Sequence, residues 1–541
     1  MKPTLQKIMK TEVLVIGGGA AGLRAAIEAR RQGLEVWVLS TFKVGYGNNS
    51  AISLGGFSAT AEEDDRDSPA LFYEDTMKSG CWVNRPFLVR LLVERAWAEA
   101  KELEGMGVQF LREPGGKYIR LGRGGHSVAR RLATPGNSGM ALLTPLLKYG
   151  QRLDLTFLNG VKVVRILQQD SQVSGVLLID RQGEWSAISA KSVILATGGC
   201  AALYPETSNV SSATGDGYAL AYEAGLPLQD MEFVQFVLRH VTEPGVPRRV
   251  LPVESLLLKG ATLRNPRGEG LQEGGRARPS FTRDAISQAV GMEIARNEGN
   301  PGYAFLDLKT IPEAERKQIP GLEKDVLKVF PISHFFMGGI RVEDDLRTPV
   351  AGLYVAGEVM GGLHGANRLG GNALAETFVF GSLAGSLAAC FAKGLRKGQP
   401  LECSQAQKAA EELTGQFGNQ RGNILELEKE LKAILGECAG VIRKGEKMVK
   451  GLNRLGKLQE SFAFLSPYDP QGLWPAFTFR HKLVVTEMIL KSALKREETR
   501  GAHYRIDFPS QDDHGWRVNV CLRRNETGQM KLFLEPVVHP S

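Results

Sequence analysis

Cysteine is scarce and scattered: Cys81, Cys200, Cys390, Cys403, Cys438 and Cys521 are the only six in 541 residues, and no two have C-x-x-C spacing. That argues against a zinc or iron–sulfur site within the chain. It also offers no disulfide framework, so a reducing compartment, the cytoplasm, is the expectation. Long hydrophobic runs are lacking too. Lys2, Lys7 and Lys10 precede Glu12 without the apolar segment of a secretory leader. The longest apolar stretch, from Thr377 to Ala392, is shorter than the roughly 20 residues that cross a bilayer and is interrupted by Gly381, Ser382, Gly385 and Ser386. It reads as a core helix, with no direct membrane span. Basic residues concentrate at Arg123–Arg131, Arg264–Arg283 and Arg443–Lys457 within a net charge of +8. No nucleic-acid-binding module accompanies them, so they read as a solvated surface that leaves anionic ligands open.

Glycine is what the chain has in excess, with 63 residues, as expected of loops that approach phosphates closely. Thr11 to Ile16 reads as a β-branched strand entering Gly17-Gly18-Gly19-Ala20-Ala21-Gly22, followed by helical periodicity to Arg31 and a second strand from Glu35 to Leu39. This is G-x-G-x-x-G inside a βαβ unit, the context in which backbone and a helix N-terminus hold a pyrophosphate. The second strand ends at Ser40, where a ribose-binding acid is expected. A hydroxyl contact or a displaced acid has to serve there.

Further strands, from Val161 to Asp180 and from Trp185 to Leu195, lead into Ala196-Thr197-Gly198-Gly199, and Thr214-Gly215-Asp216-Gly217 opens an amphipathic helix with Asp216 at its favourable end. From Gly352 to Glu376, an apolar strand, Gly357-Glu358 and a glycine-rich turn surround Arg368, the one Lys or Arg between Ala351 and Lys393. Its planar fork suits a carboxylate ligand, and a protein carboxylate, Glu358 or Glu376, is the equal alternative. Pro and charge clusters from about Phe236 to Ser333 read as an inserted domain. Gln405 to Leu494 reads as helical, and Gly501 to Ser541 as a short β-rich tail.

Taken in order, Gly17–Gly22, Ser50–Gly56, Ala196–Gly199, Asp230-Met231-Glu232-Phe233-Val234-Gln235-Phe236, Thr282-Arg283-Asp284, Ser333-His334-Phe335-Phe336-Met337-Gly338-Gly339, His364–Glu376 and Arg500-Gly501-Ala502-His503 resemble the flavoprotein subunits of fumarate reductase and succinate dehydrogenase. L-aspartate oxidase and adenylylsulfate reductase are similar. The resemblance implies an α/β fold: a two-dinucleotide-binding, Rossmann-like FAD domain (1–235 and 334–400), an inserted α+β cap (236–333), a helical domain (401–500) and a tail (501–541). It implies non-covalent FAD, because the histidine that carries covalent flavin in fumarate reductases falls on Asn49. The implied cofactor positions are Gly17, Gly19, Ala21, Gly22, Ser40, Thr41, Asn49, Ser50, Gly55, Gly56, Val163, Ala196, Thr197, Gly198, Asp216, His334, Gly357, Glu358, Arg368, Asn372, Ala373 and Leu374.

The family chemistry reduces or forms a carbon–carbon double bond beside a carboxylate, with hydride transfer at the flavin and a proton moved on the other face. By resemblance Arg283 is the proton donor, Glu254 its relay partner, and His334 with Arg368 the carboxylate clamp. Six further positions depart from the pattern. The third relay position falls on Leu257, for which Lys259 is a candidate substitute. Val237 and Val253 replace donors to a second carboxylate, and Arg239 or His240 would have to swing in to restore one. Phe335-Phe336 stands in place of the family's H-Y-T surroundings and adds bulk. Arg123, in Arg123–Ser127, stands where L-aspartate oxidase has a glutamate for the substrate ammonium, which disfavours an amino acid. The expectation is an oxidoreductase of the CH–CH group acting on a carboxylate-bearing substrate other than fumarate or succinate, either alone or as one subunit of an electron-transfer complex. An iron–sulfur subunit or ferredoxin-like carrier would exchange its electrons, peripheral to a membrane if that complex is bound to one. The alternatives are an L-aspartate oxidase-like enzyme and a non-catalytic electron-relay subunit.

Overall fold

The computed structural model describes residues 3–538 apart from 61–65, 123, 242–250, 272–281, 298–301, 318–321, 397, 399–400, 421 and 468–469. Its centre is a seven-stranded sheet. The strand Leu5–Ile16 pairs in parallel with Val36–Ser40 on one side and with Trp185–Leu195 on the other. It starts six residues before the expected Thr11, because Leu5–Lys10 finds partners along Trp185–Ser189. Thr156–Asn159 continues the parallel order beyond Val36–Ser40, while Val161–Gln169 and Gln172–Asp180 turn back as an antiparallel hairpin. Leu353–Val355 joins the end of Trp185–Leu195 in parallel.

Register decides where ligands can go. Ile16 lies opposite both Leu39 and Leu195, and Leu195 lies opposite Val355. The four segments that follow these residues therefore leave the sheet at one carboxyl edge, where open α/β sheets bind ligands. Behind that edge, the helices Ala20–Arg31 and Asn372–Gly394 cross closely. A Cβ on Gly381 would lie 2.7 Å from Ala21 O, and one on Gly385 2.3 Å from Ala25 O. Asn372–Gly394 is long and apolar enough to cross a membrane, with mean hydropathy 1.5, yet most of it is buried inside the protein. The helix Asp216–Glu223 is buried on nearly all sides rather than amphipathic.

The cap has its own core. An antiparallel sheet of Val234–His240, Val326–Phe336, Ala304–Asp307 and Thr262–Arg264 packs with the helices Val253–Leu258 and Arg283–Arg296 around Leu238, Leu256, Val290 and Leu306. The helices Cys403–Thr414, Ile424–Cys438, Gly445–Ala463 and Leu473–Lys495 follow. The tail strands Val518–Arg524 and Met530–Pro536 extend a sheet begun by Leu228–Gln229. A fully buried ionic cluster joins this tail to the segment Asp230–Phe236: Arg496 pairs with Glu232 (2.7 Å) and Glu498 (3.0 Å), Arg500 with Glu498 (2.6 Å), and Arg443 donates to Glu232 O (2.7 Å) and His503 Nδ1 (2.6 Å).

Gly385→Val places methyl groups on a backbone carbonyl that cannot retreat. A loss of about 1–3 kcal/mol is expected from such overpacking, read as a lower denaturation midpoint. Gly456→Ala in the helix Gly445–Ala463, where a Cβ meets nothing within 4 Å, is expected to raise the midpoint by up to about 1 kcal/mol.

Candidate active site

One continuous cavity of about 630 Å³ starts at the carboxyl edge of the sheet and ends under the cap. That volume lies within the range of about 300–1,000 Å³ typical of cofactor and ligand pockets. At the sheet end, the helix Ala20–Arg31 presents an N-terminus with Gly19 at its N-cap and no acid in its first turn, Ala20 N donating to Ser50 Oγ at 3.2 Å. Gly19 leaves open space on the cavity side, the nearest atom to a Cβ there being Ser50 Oγ at 3.4 Å. Thr197 Oγ1, beside Gly198, is buried without a partner. A helix end with glycine at its N-cap, a glycine cradle and an orphaned hydroxyl suit a pyrophosphate-containing dinucleotide such as FAD.

Of the cofactor positions expected from the sequence, all line the cavity except Gly22 and Asn372. Gly22 is instead a packing glycine, since a Cβ there would meet Gly17 O at 1.9 Å. Asn372 is buried, donates to Thr76 Oγ1 (3.3 Å) and leaves its Oδ1 unpartnered. Ser40 Oγ accepts from Phe42 N at 3.3 Å. The cavity's carboxylates are Asp216, Glu254 and Glu358, each with partners of its own. Asp216 accepts from Lys162 Nζ (2.7 Å) and faces His481 Nδ1 (2.7 Å). Burial alone would raise its pKa, but Lys162 and His481 hold it well below the usual range. Asn49 donates to Asn209 Oδ1 (2.5 Å) and accepts from Val210 N (3.1 Å), so its amide fastens the wall of the cavity.

At the cap end the four residues expected to do the chemistry meet. Arg283, first residue of the cap helix, donates from Nε to Glu254 Oε1 at 2.7 Å and from Nη1 to Gln235 Oε1 at 3.2 Å. Arg368, on the core side, donates from Nη2 to the same Gln235 Oε1 at 2.9 Å. Gln235 in turn donates to Asn367 Oδ1 and Arg368 O, each at 2.9 Å. The alternative pairing of Arg368 with a protein acid does not occur: Glu376 faces His364 Nε2 (3.0 Å), and Glu358 accepts from Phe336 N (3.1 Å). Arg368 Nε has no partner, and the guanidinium stacks 4.2 Å from the Phe335 ring. Burial, together with the repulsion of Arg283, pushes the Arg368 pKa down to about 9. Such a site gains by receiving an anion.

His334 Nδ1 lies 2.7 Å from Ser208 Oγ, whose alternative acceptor, Ser333 O, is farther at 3.3 Å. With the hydroxyl donating to Nδ1, the ring proton sits on Nε2 as a donor; with it donating to Ser333 O, the ring proton sits on Nδ1. Burial, and then the charges of Arg368 and Arg283, keep this ring well below its usual pKa and so neutral. Burial works to raise Glu254, but Arg283 outweighs it and keeps the carboxyl below its usual range.

Several expectations are corrected here. Lys259 is exposed on the far side of its turn and pairs with Glu315. Arg239 pairs with Glu206 at 2.7 Å and stacks on Phe330, so it does not reach the cavity, nor does His240. Val237 lines the cavity, whereas Val253 points into the cap core. Leu257 packs against that same core. Arg123 lies outside the described residues. In the same run, His126 is structural, its Nε2 against Gly370 O (2.8 Å) and its Nδ1 accepting from Arg130 (3.0 Å). The sequence reading missed Gln235, Ser208, Asn209 and Arg131. Gln235 sat inside a quoted motif, but its two-arginine contact joins segments more than 130 residues apart.

Among the described residues no group of three or more His, Cys, Asp or Glu is placed to hold a metal ion. Residues 12–374 match the FAD binding domain family and residues 428–540 the fumarate reductase flavoprotein C-terminal family. The chain is 34% identical over 547 residues to a fumarate reductase (CoM/CoB) subunit of Methanothermobacter marburgensis, covering 96% of this chain and 98% of that one. It is 33% identical to an uncharacterized FAD-dependent oxidoreductase of Methanocaldococcus jannaschii, covering 95% and 96%. The solved quinol fumarate reductase flavoprotein of E. coli superposes with a TM-score of 0.87 at 28% identity, over 98% of this chain and 97% of that one. Adenylylsulfate reductase of Archaeoglobus fulgidus, at 18% identity and TM-score 0.81, shares the fold.

Glu358 is raised from its ordinary 4.5 to about 7, chiefly by burial. A carboxyl that binds its proton more tightly when folded stabilises the protein below about 4.5 and loses that contribution as pH rises through 7. In FAD-free protein, Glu358→Gln is expected to flatten the fall of melting temperature between about pH 5 and 7 relative to the parent. Superimposable profiles would place the titration elsewhere.

Proposed function

We propose that this chain, which belongs to the fumarate reductase and succinate dehydrogenase flavoprotein family and is an FAD-dependent oxidoreductase, reduces or forms a carbon–carbon double bond next to a carboxylate. One observation carries the reading: the cofactor cradle and Arg283, Glu254, Arg368 and His334 share a single cavity, with Gln235 bridging the two arginines behind it. Bound FAD supplies the electron pair and one hydrogen. The residues of this chain do the rest. Arg368 and His334, both on the cavity lining, grip the substrate carboxylate and draw electron density from the adjoining double bond. Arg283 gives the second hydrogen to carbon as a proton. Its proton is replaced through Glu254, 2.7 Å from Nε, which takes one from water. In the opposite direction the same groups receive the proton.

The rest of the lining supports a substrate other than fumarate or succinate. Val237 is aliphatic, Phe335 is bulky and stacks on Arg368, and Arg239 is committed to Glu206. A second carboxylate against Val237 would lose its water without a donor in return, at a cost of roughly 2 kcal/mol or more. An enoate with an apolar substituent fits that wall better. FAD is held without a covalent bond, since Asn49 offers no nucleophile and its amide is engaged by Asn209 and Val210. Relatives bear the word subunit in their names, and we extend that role to this chain. Its electrons would pass to or from an iron–sulfur protein or ferredoxin-like carrier in the cytoplasm.

Reoxidation of the photoreduced protein by a panel of enoates is expected to be faster with apolar monocarboxylic members than with fumarate; preference for fumarate would refute the assignment of the Val237 wall. Arg283→Ala is expected to lower that rate by at least about 100-fold, and unchanged turnover would remove Arg283 from the proton route. After acid precipitation the yellow colour is expected in the supernatant. A yellow pellet would show a covalent link.

A further inference from the structure

We propose that Arg131 is a positioning residue for the Glu254–Arg283 pair, a fixed positive charge that keeps Glu254 ionised beside Arg283. This rests on the proton route above. Arg131 stands on the short strand Arg131–Leu132, outside the cap, and lines the cavity with Glu254, Arg283 and Arg368. It donates from Nε (2.8 Å) and Nη2 to Gly122 O, and from Nη1 to Gly55 O at 3.3 Å. Two backbone carbonyls thus brace the guanidinium, and no described carboxylate forms an ion pair with it. Gly122 itself lies against the cap: a Cβ on it would be 3.9 Å from Ser255 Oγ, the neighbour of Glu254 in sequence.

The charged groups acting on Glu254 are therefore Arg283 on the cap and Arg131 and Arg368 on the core, with neutral His334 near Arg368 and Arg283. Burial would raise the Glu254 pKa; Arg283 lowers it, and Arg131 adds to that. Burial and Arg283 lower the proton affinity of Arg131 in turn, which Glu254 partly restores. A carboxyl made more acidic in this way stays ionised, the form that pairs with Arg283, while passage of a captured proton to a deprotonated guanidine is downhill in any case. Because Arg131 is anchored to the core, its charge stays in place whatever the cap does.

The test uses FAD-loaded full-length protein. The Glu254 carboxyl is titrated by infrared difference spectroscopy, its band assigned by its loss in Glu254→Gln, and the pH profile of reoxidation is followed with the fastest enoate of the panel. Arg131→Gln and Arg131→Met are each expected to raise the Glu254 midpoint by about one pH unit, the low end for an opposite charge at close range. The acid limb of the profile should move by the same amount, and Arg131→Lys should stay with the parent. Unmoved midpoints in both neutral variants would overturn the proposal. So would a Lys variant shifted as far as they are, since Arg131 would then act only by bracing Gly122 and Gly55. Failure of every enoate would sink the proton route itself, while the infrared midpoints, which need no substrate, still decide whether Arg131 governs Glu254.

Discussion

Two guanidinium groups donating to one amide oxygen hold this site together. Arg283 comes from the cap and Arg368 from the core, and Gln235 Oε1 accepts from both. Like charges at such range repel strongly in a low-dielectric interior, so the arrangement needs counter-charge and dipole nearby. Glu254 supplies the first and the carbonyl of Gln235 the second. What remains uncompensated sits at the cavity lining: Arg368, with a buried, unpartnered Nε and a depressed pKa. The site is poised for an anion because the fold has withheld one from it.

Gln235 can do this because its strand is fixed from behind. Asp230–Phe236 passes over the buried cluster of Arg443, Arg496, Glu498, Arg500 and His503, which binds the tail to the middle of the chain. Removing one member of a buried ionic network leaves the others unpaired, which typically costs about 3–5 kcal/mol, on the order of a whole domain's margin. The Arg500–His503 motif, far from the cavity in sequence and in chemistry, thus supports the chemistry indirectly. Gln288 Nε2, on the cap helix that begins with Arg283, also donates to Gly501 O at 2.6 Å, so the tail restrains the cap as well.

Much of this was legible in the sequence because local rules wrote it. The glycine turn between strand and helix, the βαβ order and the cap's change of composition all express short-range constraints. Gly17–Gly22, set between strand and helix, is read as a phosphate cradle from local spacing alone. Where the reading failed, a long-range partner had overruled a local preference. Thr11 did not start its strand because Trp185–Ser189 extended it. Gly22 was spent on packing against Gly17 rather than on ligand. Asp216 was engaged by Lys162 and His481, which no spacing could reveal.

The sequence by itself determined the cofactor class and the family, and it marked Arg283, Glu254, His334 and Arg368 as candidates, three of them inside motifs whose residues are contiguous. Only the tertiary structure decided how those residues are used. It rejected a protein acid as the partner of Arg368, turned Val253 into the cap core and Val237 to the cavity, and brought Arg131 to the site from a strand no motif had marked. The physical reason is that charge balance in a buried site is summed over everything within a few ångströms, and the chain that supplies those charges is folded from segments hundreds of residues apart.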